Sequence, residues 1–235
     1  MTKRLEGQLA LVTGASRGIG AATAKALAAE GAHVILTART AGALEEIEEA
    51  IHAAGGTATI APLDLVESDS IARLAGAVAE RWGKLDLLVL NAATLGSLAA
   101  VPAIDPGEFA RVLTLNVSAQ VALIAAFDPL LRKSAAGKVV ALTSSVGRQP
   151  RAYWGAYGAS KAALETLALS YGEEVEAVSP IRVAVIDPGA TRTAMRERAY
   201  PGEDPASVKS PEVVADRIVE LAVAGFGVGH IERIG

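Results

Sequence analysis

The residue pair with the clearest potential for acid–base chemistry is Tyr157 and Lys161, which stand four positions apart. Residues at this spacing share one face of a helix, and the surrounding segment 155–177 has the composition of a long helix. An ammonium group beside a phenol stabilises the phenolate and lowers the phenol pKa from about 10 toward neutrality. Such a tyrosine can donate a proton to a carbonyl oxygen or accept one from an alcohol. Because any helix can carry this pair by chance, the hypothesis needs support from other residues.

A second chemical feature is the glycine-rich segment TGASRGIG, which follows the apolar run 8–13 and opens an Ala-rich helical stretch over 18–30. Glycines permit a tight turn and a close backbone approach to a pyrophosphate, and a helix N-terminus supplies free N–H groups to it. The alternative is an ordinary glycine-rich turn. The strand before it and the helix after it are the context that a dinucleotide site requires. The residues that we expect to bind a dinucleotide here are Gly14, Ser16, Arg17, Gly18, Ile19 and Gly20.

The end of the second predicted strand indicates which dinucleotide is bound. Sites for NAD usually place an acidic residue there, to bind the ribose hydroxyls, whereas this chain has Thr37, Ala38 and Arg39. An arginine fork suits a phosphate, and Arg17 in the glycine loop could reach the same phosphate from the other side. The alternative is that both are surface arginines. The missing acid and the two arginines together favour NADP(H).

The elements that must position these residues alternate between strand-like and helix-like segments along the chain. We predict strands over 8–13, 33–38, 57–63, 85–90, 138–144 and 181–187, and a weak one near 229–233. We predict helices over 18–30, 41–54, 68–82, 106–115, 117–133, 155–177 and 211–224, with a loop over 188–210. Strict alternation implies a doubly wound parallel sheet with helices on both faces. With no linker or repeat in sight, residues 1–235 are predicted to form a single α/β domain.

Two further strand ends carry candidate cofactor contacts. Asp64 and Leu65 follow the third predicted strand and would lie beside the adenine, although Asp64 could equally cap a turn before the next helix. Asn91 and Ala92 follow the fourth strand. Asn91 could tie strands together at the cofactor edge or simply satisfy local backbone groups. Both alternatives stay open for each pair.

Composition excludes several classes of function. The net charge is −4 with no evident basic patch, so nucleic-acid binding has no electrostatic support. The chain has no cysteine, and its three histidines lack ligand spacing, so we expect no metal site. The N-terminus is better explained as a first strand than as a signal peptide, and no run of about 18 apolar residues suggests a membrane span. These features predict a cytoplasmic protein without a membrane partner.

Several motifs taken together resemble the classical short-chain dehydrogenase/reductase family. They are TGASRGIG, the NAA that contains Asn91, Asn116, Ser144 thirteen residues before Tyr157, the Tyr157-to-Lys161 pair and Pro188-Gly189, in the order and spacing of that family. The resemblance covers about residues 7–225, and segments 147–161 and 188–196 resemble a poorly characterised bacterial subgroup. It implies one Rossmann-type domain with six or seven strands in the order 3-2-1-4-5-6-7.

The resemblance also implies roles for individual residues. Tyr157 is then the general acid/base, Lys161 lowers its pKa and holds the nicotinamide ribose, and Ser144 polarises the substrate carbonyl. Asn116 bends its helix and holds a water that connects Lys161 to a proton relay. For Ser145 a local backbone hydrogen bond is the better expectation. Residues implied to hold the carboxamide end of the cofactor are Pro188, Gly189, Thr191 and Thr193.

Three functions compete on this basis. The favoured one is an oxidoreductase that transfers a hydride between NADP(H) and a small carbonyl or alcohol, whose identity the sequence leaves open. A non-catalytic dinucleotide sensor would have no need of Tyr157 and Lys161. A methyltransferase also uses a glycine loop, but it usually has an acidic residue after the second strand. Five arginines near the expected substrate entrance could attract an anionic substrate or a thioester carrier, or could simply be solvated: Arg148, Arg151, Arg192, Arg196 and Arg198.

Two predicted helices lack the polar face that a surface helix should show. Asp128 is the only charged residue in 117–131, and 155–172 carries only Lys161 and Glu165. We therefore expect their outer faces, with Leu123 and Leu167, to pair about a two-fold axis. The family resemblance implies the same contact. The predicted assembly is a homodimer through residues 105–133 and 155–178, or a homotetramer.

Overall fold

A computed structural model describes residues 3–67 and 69–235. Its strands are β1 (Leu9–Thr13), β2 (His33–Ala38), β3 (Thr57–Pro62), β4 (Leu87–Leu90), β5 (Lys138–Leu142), β6 (Arg182–Asp187) and β7 (His230–Arg233). Its α-helices are α1 (Gly18–Ala29), α2 (Ala41–Ala53), α3 (Ser70–Trp82), α4 (Pro106–Leu113), α5 (Ala119–Leu131), α6 (Gly155–Glu176), α7 (Ala194–Ala199) and α8 (Pro211–Ala224).

The seven strands form one parallel sheet in the order β3-β2-β1-β4-β5-β6-β7. The predicted fold class and strand order are therefore confirmed, including the weak seventh strand, which pairs with β6 from Ala184 opposite His230 to Asp187 opposite Arg233. Strands β2 and β3 lie on one side of β1, and β4 begins the series on its other side, so the strand order switches between β1 and β4. In open parallel sheets a crevice forms at this switch point, outside the carboxyl ends of the strands.

Apolar layers cover both faces of the sheet and explain why the central strands are continuous apolar runs. One layer packs α1, α2 and α8 on the sheet, with Leu27, Leu44 and Ile218 fully buried. The other layer packs α3, α5 and α6, with Leu123 and Phe127 fully buried. Every residue of β1, β4 and β5 is buried in consequence.

The helical region around Asn116 differs from the prediction of two separate helices. A π-helical turn, Thr114–Ser118, joins α4 directly to α5, and the expected bend becomes one inserted residue in a continuous helix. The run Pro106–Leu131 is long and apolar enough by composition to cross a bilayer. However, Leu123 and Phe127 lie in the domain core, so part of its apolar surface is explained by packing on the sheet.

Two other expectations need correction. Leu123 was expected in an intersubunit contact, but it is fully buried inside the domain, and the large apolar side chains exposed on these helices are Val121 and Leu167. The loop predicted over 188–210 contains α7 and a short 3-10 turn, Pro205–Ser207. The predicted start of the third helix, Ser68, lies outside the described residues, and α3 begins at Ser70.

Candidate active site

The candidate residues gather at the carboxyl ends of four neighbouring strands. Gly14 follows β1, Asn91 follows β4, Ser144 lies just beyond β5 and Pro188 follows β6. Because parallel strands end at the same edge, the topology brings residues far apart in sequence to one crevice. The long helix α6 then places Tyr157 and Lys161 beside the end of β5.

The glycine loop is shaped by contacts that leave no room for a side chain. Gly14 has a φ of +66°, and a Cβ there would lie 2.9 Å from the Asn91 amide nitrogen. A Cβ on Gly20 would lie 2.3 Å from the carbonyl oxygen of Gly14. The chain can therefore turn sharply from β1 into α1, whose first N–H groups face the crevice edge. This geometry fits a pyrophosphate.

Asn91 ties the end of β4 to the end of β1. Its amide nitrogen donates to the carbonyl oxygen of Thr13 at 2.8 Å, and the Thr13 hydroxyl accepts from the backbone N–H groups of Asn91 at 2.9 Å and Ala92 at 3.0 Å. Asn91 therefore does both things that were expected as alternatives: it satisfies backbone groups of Thr13, and in doing so it links β4 to β1. This link keeps the glycine loop against the crevice.

The residues expected near the adenosine end of the cofactor have different local roles. Arg17 and Arg39 are exposed, and within residues 3–67 and 69–235 neither side chain forms a hydrogen bond or an ion pair. Asp64 accepts a hydrogen bond from the Val66 N–H at 3.1 Å, so its turn-forming role is present, and Leu65 is buried. The two arginines are therefore available to a phosphate.

Tyr157 and Lys161 are both buried on one face of α6. The Lys161 Nζ donates to the carbonyl oxygen of Leu142 at 2.8 Å and lies 5.7 Å from the centre of the Tyr157 ring. Glycines allow α6 to approach the loop after β5 closely, because a Cβ on Gly158 would lie 2.8 Å from the carbonyl oxygen of Val146. This approach brings the phenol and the loop that carries Ser144 together.

The expected lowering of the tyrosine pKa is not found in the protein alone. Burial raises the pKa of the Tyr157 phenol, and the charge of Asp187 adds to the rise. Burial also lowers the pKa of the Lys161 ammonium, to about 8. Desolvation disfavours the charged form of each group, and Lys161 directs its hydrogen bond to a backbone carbonyl. At neutral pH the pair therefore consists of a neutral phenol and a mostly protonated amine.

Ser144 has an extended backbone and a half-buried side chain just ahead of the short turn Ser145–Gly147. In the part of the chain that the structure describes, the hydroxyls of Ser144, Ser145 and Tyr157 form no hydrogen bond. The local bond expected for Ser145 is therefore not seen. Ser144 and Tyr157 have hydroxyls free to meet a substrate oxygen.

Asn116 is fully buried in the π-helical turn, and its side-chain amide forms hydrogen bonds with two neighbouring residues. Its oxygen accepts from the Thr94 N–H at 2.8 Å, and its nitrogen donates to the Thr94 carbonyl at 2.8 Å and to the Ser160 hydroxyl at 3.0 Å. Ser160 in turn donates to the carbonyl oxygen of Tyr157 at 2.7 Å. Asn116 thus joins the loop after β4 to the catalytic turn of α6. A water-mediated path to Lys161 stays a prediction.

Gln120 is a positioning residue that the sequence analysis missed. It is fully buried, and its amide nitrogen donates to the carbonyl oxygens of Leu115 at 2.9 Å and Ala92 at 3.0 Å. The π-helical turn disturbs the helical hydrogen bonding, so Leu115 has a carbonyl for a side chain to satisfy. A glutamine one turn after Asn116, in an otherwise apolar helix, was the available signal.

Hydrogen bonds and close packing fix the segment 188–193, which follows β6. Gly189 has a φ of +62°, its N–H donates to Asp187 at 3.0 Å, and a Cβ there would lie 2.6 Å from the Ile234 carbonyl oxygen. Thr191 is buried and donates to the Pro188 carbonyl at 3.0 Å. The Thr193 hydroxyl accepts from the Arg196 N–H at 3.1 Å at the start of α7. A Cβ on Gly18 would lie 3.3 Å from the Thr193 methyl, so this segment adjoins the glycine loop.

The histidine and acidic residues add no metal centre to this picture. Within residues 3–67 and 69–235, no group of three or more histidine, cysteine, aspartate or glutamate side chains could hold a metal ion.

Comparisons with known proteins show which family has this fold. Residues 8–204 match the family model for short chain dehydrogenase. The uncharacterized oxidoreductase YciK of Escherichia coli (strain K12) is 40% identical over 210 residues, which cover 88% of this chain and 82% of the relative. A short chain dehydrogenase from Pseudomonas syringae superposes with a TM-score of 0.95 at 39% identity, over 99% of this chain and 96% of that one.

A second structural relative was solved with a nucleotide. It is a short chain dehydrogenase from Shigella flexneri 2a complexed with NADP, with a TM-score of 0.94 and 36% identity over 99% of both chains. The family match spans well over half of this chain, and the solved structures share its whole fold. The chain therefore belongs to the short-chain dehydrogenase family of oxidoreductases.

Proposed function

We propose that this protein transfers a hydride between NADP(H) and a carbonyl or alcohol substrate, with Tyr157 as the general acid/base. The observation that carries the proposal is the burial of Tyr157 and Lys161 together on one face of α6, beside the loop that bears Ser144. A buried cation next to a phenol with an unengaged hydroxyl is an arrangement suited to proton transfer.

The choice of cofactor rests on the glycine loop and two arginines. Gly14 and Gly20 form a turn that a side chain would fill, and the N-terminus of α1 offers N–H groups to a pyrophosphate. Arg17 and Arg39 are exposed beside it and suit a 2′-phosphate. The Shigella relative that was solved with NADP supports the same choice. When bound, NADPH supplies the hydride, and the protein supplies orientation and the proton.

The chain's own residues divide the remaining work. Tyr157 donates its proton to the carbonyl oxygen as negative charge develops there, and Ser144 donates a hydrogen bond to the same oxygen. Lys161 provides the positive charge that stabilises the phenolate left behind. Because its pKa is raised by burial, Tyr157 keeps its proton at neutral pH. In this protonation state Tyr157 can act as the acid in carbonyl reduction.

The test is an NADPH-oxidation screen with ketones, aldehydes, quinones and 3-oxoacyl thioesters, alongside titration of NADPH binding. We expect NADPH to bind and at least one carbonyl class to be reduced. A non-catalytic sensor would bind NADPH and leave every carbonyl unreduced, even at high enzyme concentration.

We further propose that the protein works in the cytoplasm as a homo-oligomer, since its sequence has no cysteine and two of its helices present apolar outer faces.

A further inference from the structure

An apolar wall packs against Tyr157. Leu95 and Val146 are buried in contact with Tyr157 in one cluster. The partly buried residues that pack on this cluster are Leu98, Trp154, Met195 and Ala199. These residues come from three segments: the loop after β4, the loop into α6, and α7. These side chains give the phenol an apolar wall, in addition to its contact with Lys161.

Trp154 is the centre of this wall. Its ring meets the Tyr157 ring edge-on, with centroids 6.0 Å apart and planes at 67°. On its other side it lies 5.8 Å from the Tyr200 ring, just after α7. Trp154 is only partly buried, so it keeps apolar surface to offer beside the phenol. A large aromatic face of this kind contributes by burying apolar area.

The charged residues nearest the wall are already engaged. Arg196 binds Glu203 at 2.7 Å and lies over the Tyr200 ring at 3.7 Å. Arg148 binds Glu165 at 2.6 Å. An anion in the crevice would have to compete with these carboxylates for Arg196 and Arg148, two of the five arginines that could attract it.

The remaining arginines lie at the rim. Arg198 donates to the Gly96 carbonyl at 3.2 Å, and Arg151 donates to the Tyr200 hydroxyl at 3.4 Å. Both side chains, like that of Arg192, are exposed. Their hydrogen bonds fasten the loop after β4 and the end of α7 around Trp154.

We propose that the group attached to the reacting carbonyl is apolar and uncharged, and that it packs against Trp154 and Met195. This inference rests on the proposed function and names its substrate class. Each methylene buried against such a wall favours binding, whereas a carboxylate packed against Trp154 and Met195 would lose its hydration. The chemical class is thus an aliphatic or aromatic aldehyde or ketone without a charge near the carbonyl.

The test uses two aldehydes of matched shape, 4-methylpentanal and 4-oxobutanoate, which differ in an isopropyl group against a carboxylate. With NADPH as reductant, we expect kcat/KM for 4-methylpentanal to exceed that for 4-oxobutanoate on the order of a hundredfold, since a buried carboxylate must be desolvated. Equal values, or a preference for 4-oxobutanoate, would overturn the inference.

Variants of Trp154 locate the effect. Trp154→Ala should lower the ratio of kcat/KM for 4-methylpentanal to kcat/KM for acetaldehyde about tenfold, because acetaldehyde is too small to reach the wall. Trp154→Phe should restore most of the loss. A purely structural role for Trp154 would lower both aldehydes alike, and that result would also count against the inference. NADPH affinity serves as the control for folding of each variant.

Failure of the substrate class and failure of the proposed function give different results. If NADPH binds and the anionic aldehyde is reduced faster, only the substrate class is wrong. If NADPH binds but neither aldehyde nor any other carbonyl is reduced, the proposed function falls, and the inference falls with it.

Discussion

The ammonium nitrogen of Lys161 lies 5.7 Å from the centre of the Tyr157 ring and turns its hydrogen bond to the carbonyl of Leu142. Burial acts on the pKa values of the two groups in opposite directions: it raises that of Tyr157 and lowers that of Lys161 to about 8. The two shifts share one cause, since each group pays to carry charge away from water. Together they leave a proton on both groups at neutral pH.

The first prediction concerns the dependence of reduction on pH. Lysine is charged below its pKa, so the supporting positive charge should be lost as pH rises through about 8. A plot of log kcat/KM for carbonyl reduction against pH should therefore fall above an apparent pKa of about 8. Tyr157 cannot produce this limb, because its pKa lies above the ordinary value. NADPH affinity measured over the same range separates binding from chemistry, and an activity that stays flat through pH 9.5 would contradict the assignment.

The second prediction is that Tyr157→Phe removes the proton donor alone. We expect kcat to fall by roughly 10²–10⁴-fold, the usual size of general acid catalysis, with little change in NADPH affinity. Tyr171→Phe is the matched control, since Tyr171 lies on the same helix but donates its hydroxyl to Asp128 at 2.7 Å. Near-native turnover in the Tyr157 variant would require a different acid.

The third prediction concerns the preference for NADPH over NADH. A charge-assisted phosphate contact is worth about 1.5–3 kcal/mol, so kcat/KM should favour NADPH by about tenfold or more. Arg39→Asp should abolish or reverse this preference, because a carboxylate repels the 2′-phosphate. Lys133→Asp makes the same change of charge on an exposed residue that precedes the amino end of β5, whereas the candidate site lies at the carboxyl ends of the strands. This control variant should leave the preference unchanged. Equal use of both cofactors by the native enzyme would remove the basis for the assignment.

The strands and helices could be predicted because each carries its own signal: continuous apolar runs form buried strands, and helical periodicity separates them. The strand order and the choice of Ser144 came from the family resemblance, whereas helical spacing alone put Tyr157 and Lys161 on one face of α6. Leu123 shows the limit. A uniformly apolar helix such as α5 has no polar stripe to reveal which side faces the sheet, so the sequence could not tell that Leu123 is buried and Val121 is exposed.

The positions of Asn116 and Gln120 depend on tertiary contacts that no local pattern reveals. Their side chains bond Thr94, Ala92 and Ser160, which come from distant parts of the chain. The pKa of Tyr157 was mispredicted for a related reason. Helical spacing placed Lys161 near the phenol, but burial and the Leu142 carbonyl, which decide the charges, arise only in the folded domain.

The fourth prediction tests Gln120. In Gln120→Met the carbonyls of Leu115 and Ala92 lose their donor, and each buried unpaired carbonyl costs about 1–3 kcal/mol. Loss of the buried Oε1 atom, which has no partner among the described residues, offsets part of this cost. We therefore expect the free energy of unfolding to fall by about 1–3 kcal/mol, measured by denaturant titration. Gln8→Met is the control, because the Gln8 side chain forms no hydrogen bond in the described part of the chain. An unchanged or higher stability would show that Gln120 does not hold the turn.

The last prediction is that the protein forms at least a dimer through the outer faces of α5 and α6. Val121 is 42% exposed and Leu167 is 39% exposed, and the exposed residues of α5 carry no charge. A two-fold axis would pair these faces and bury them. Light scattering at micromolar concentration should therefore give a dimeric or tetrameric mass for the native protein. Val121→Glu and Leu167→Glu should shift the mass toward the monomer, because each places a charge in the contact. Val213→Glu is the matched control: Val213 is 45% exposed on α8, which packs on the opposite face of the sheet. A native monomer would contradict the predicted assembly. Val121→Glu and Leu167→Glu variants that stay associated would show that the interface lies elsewhere.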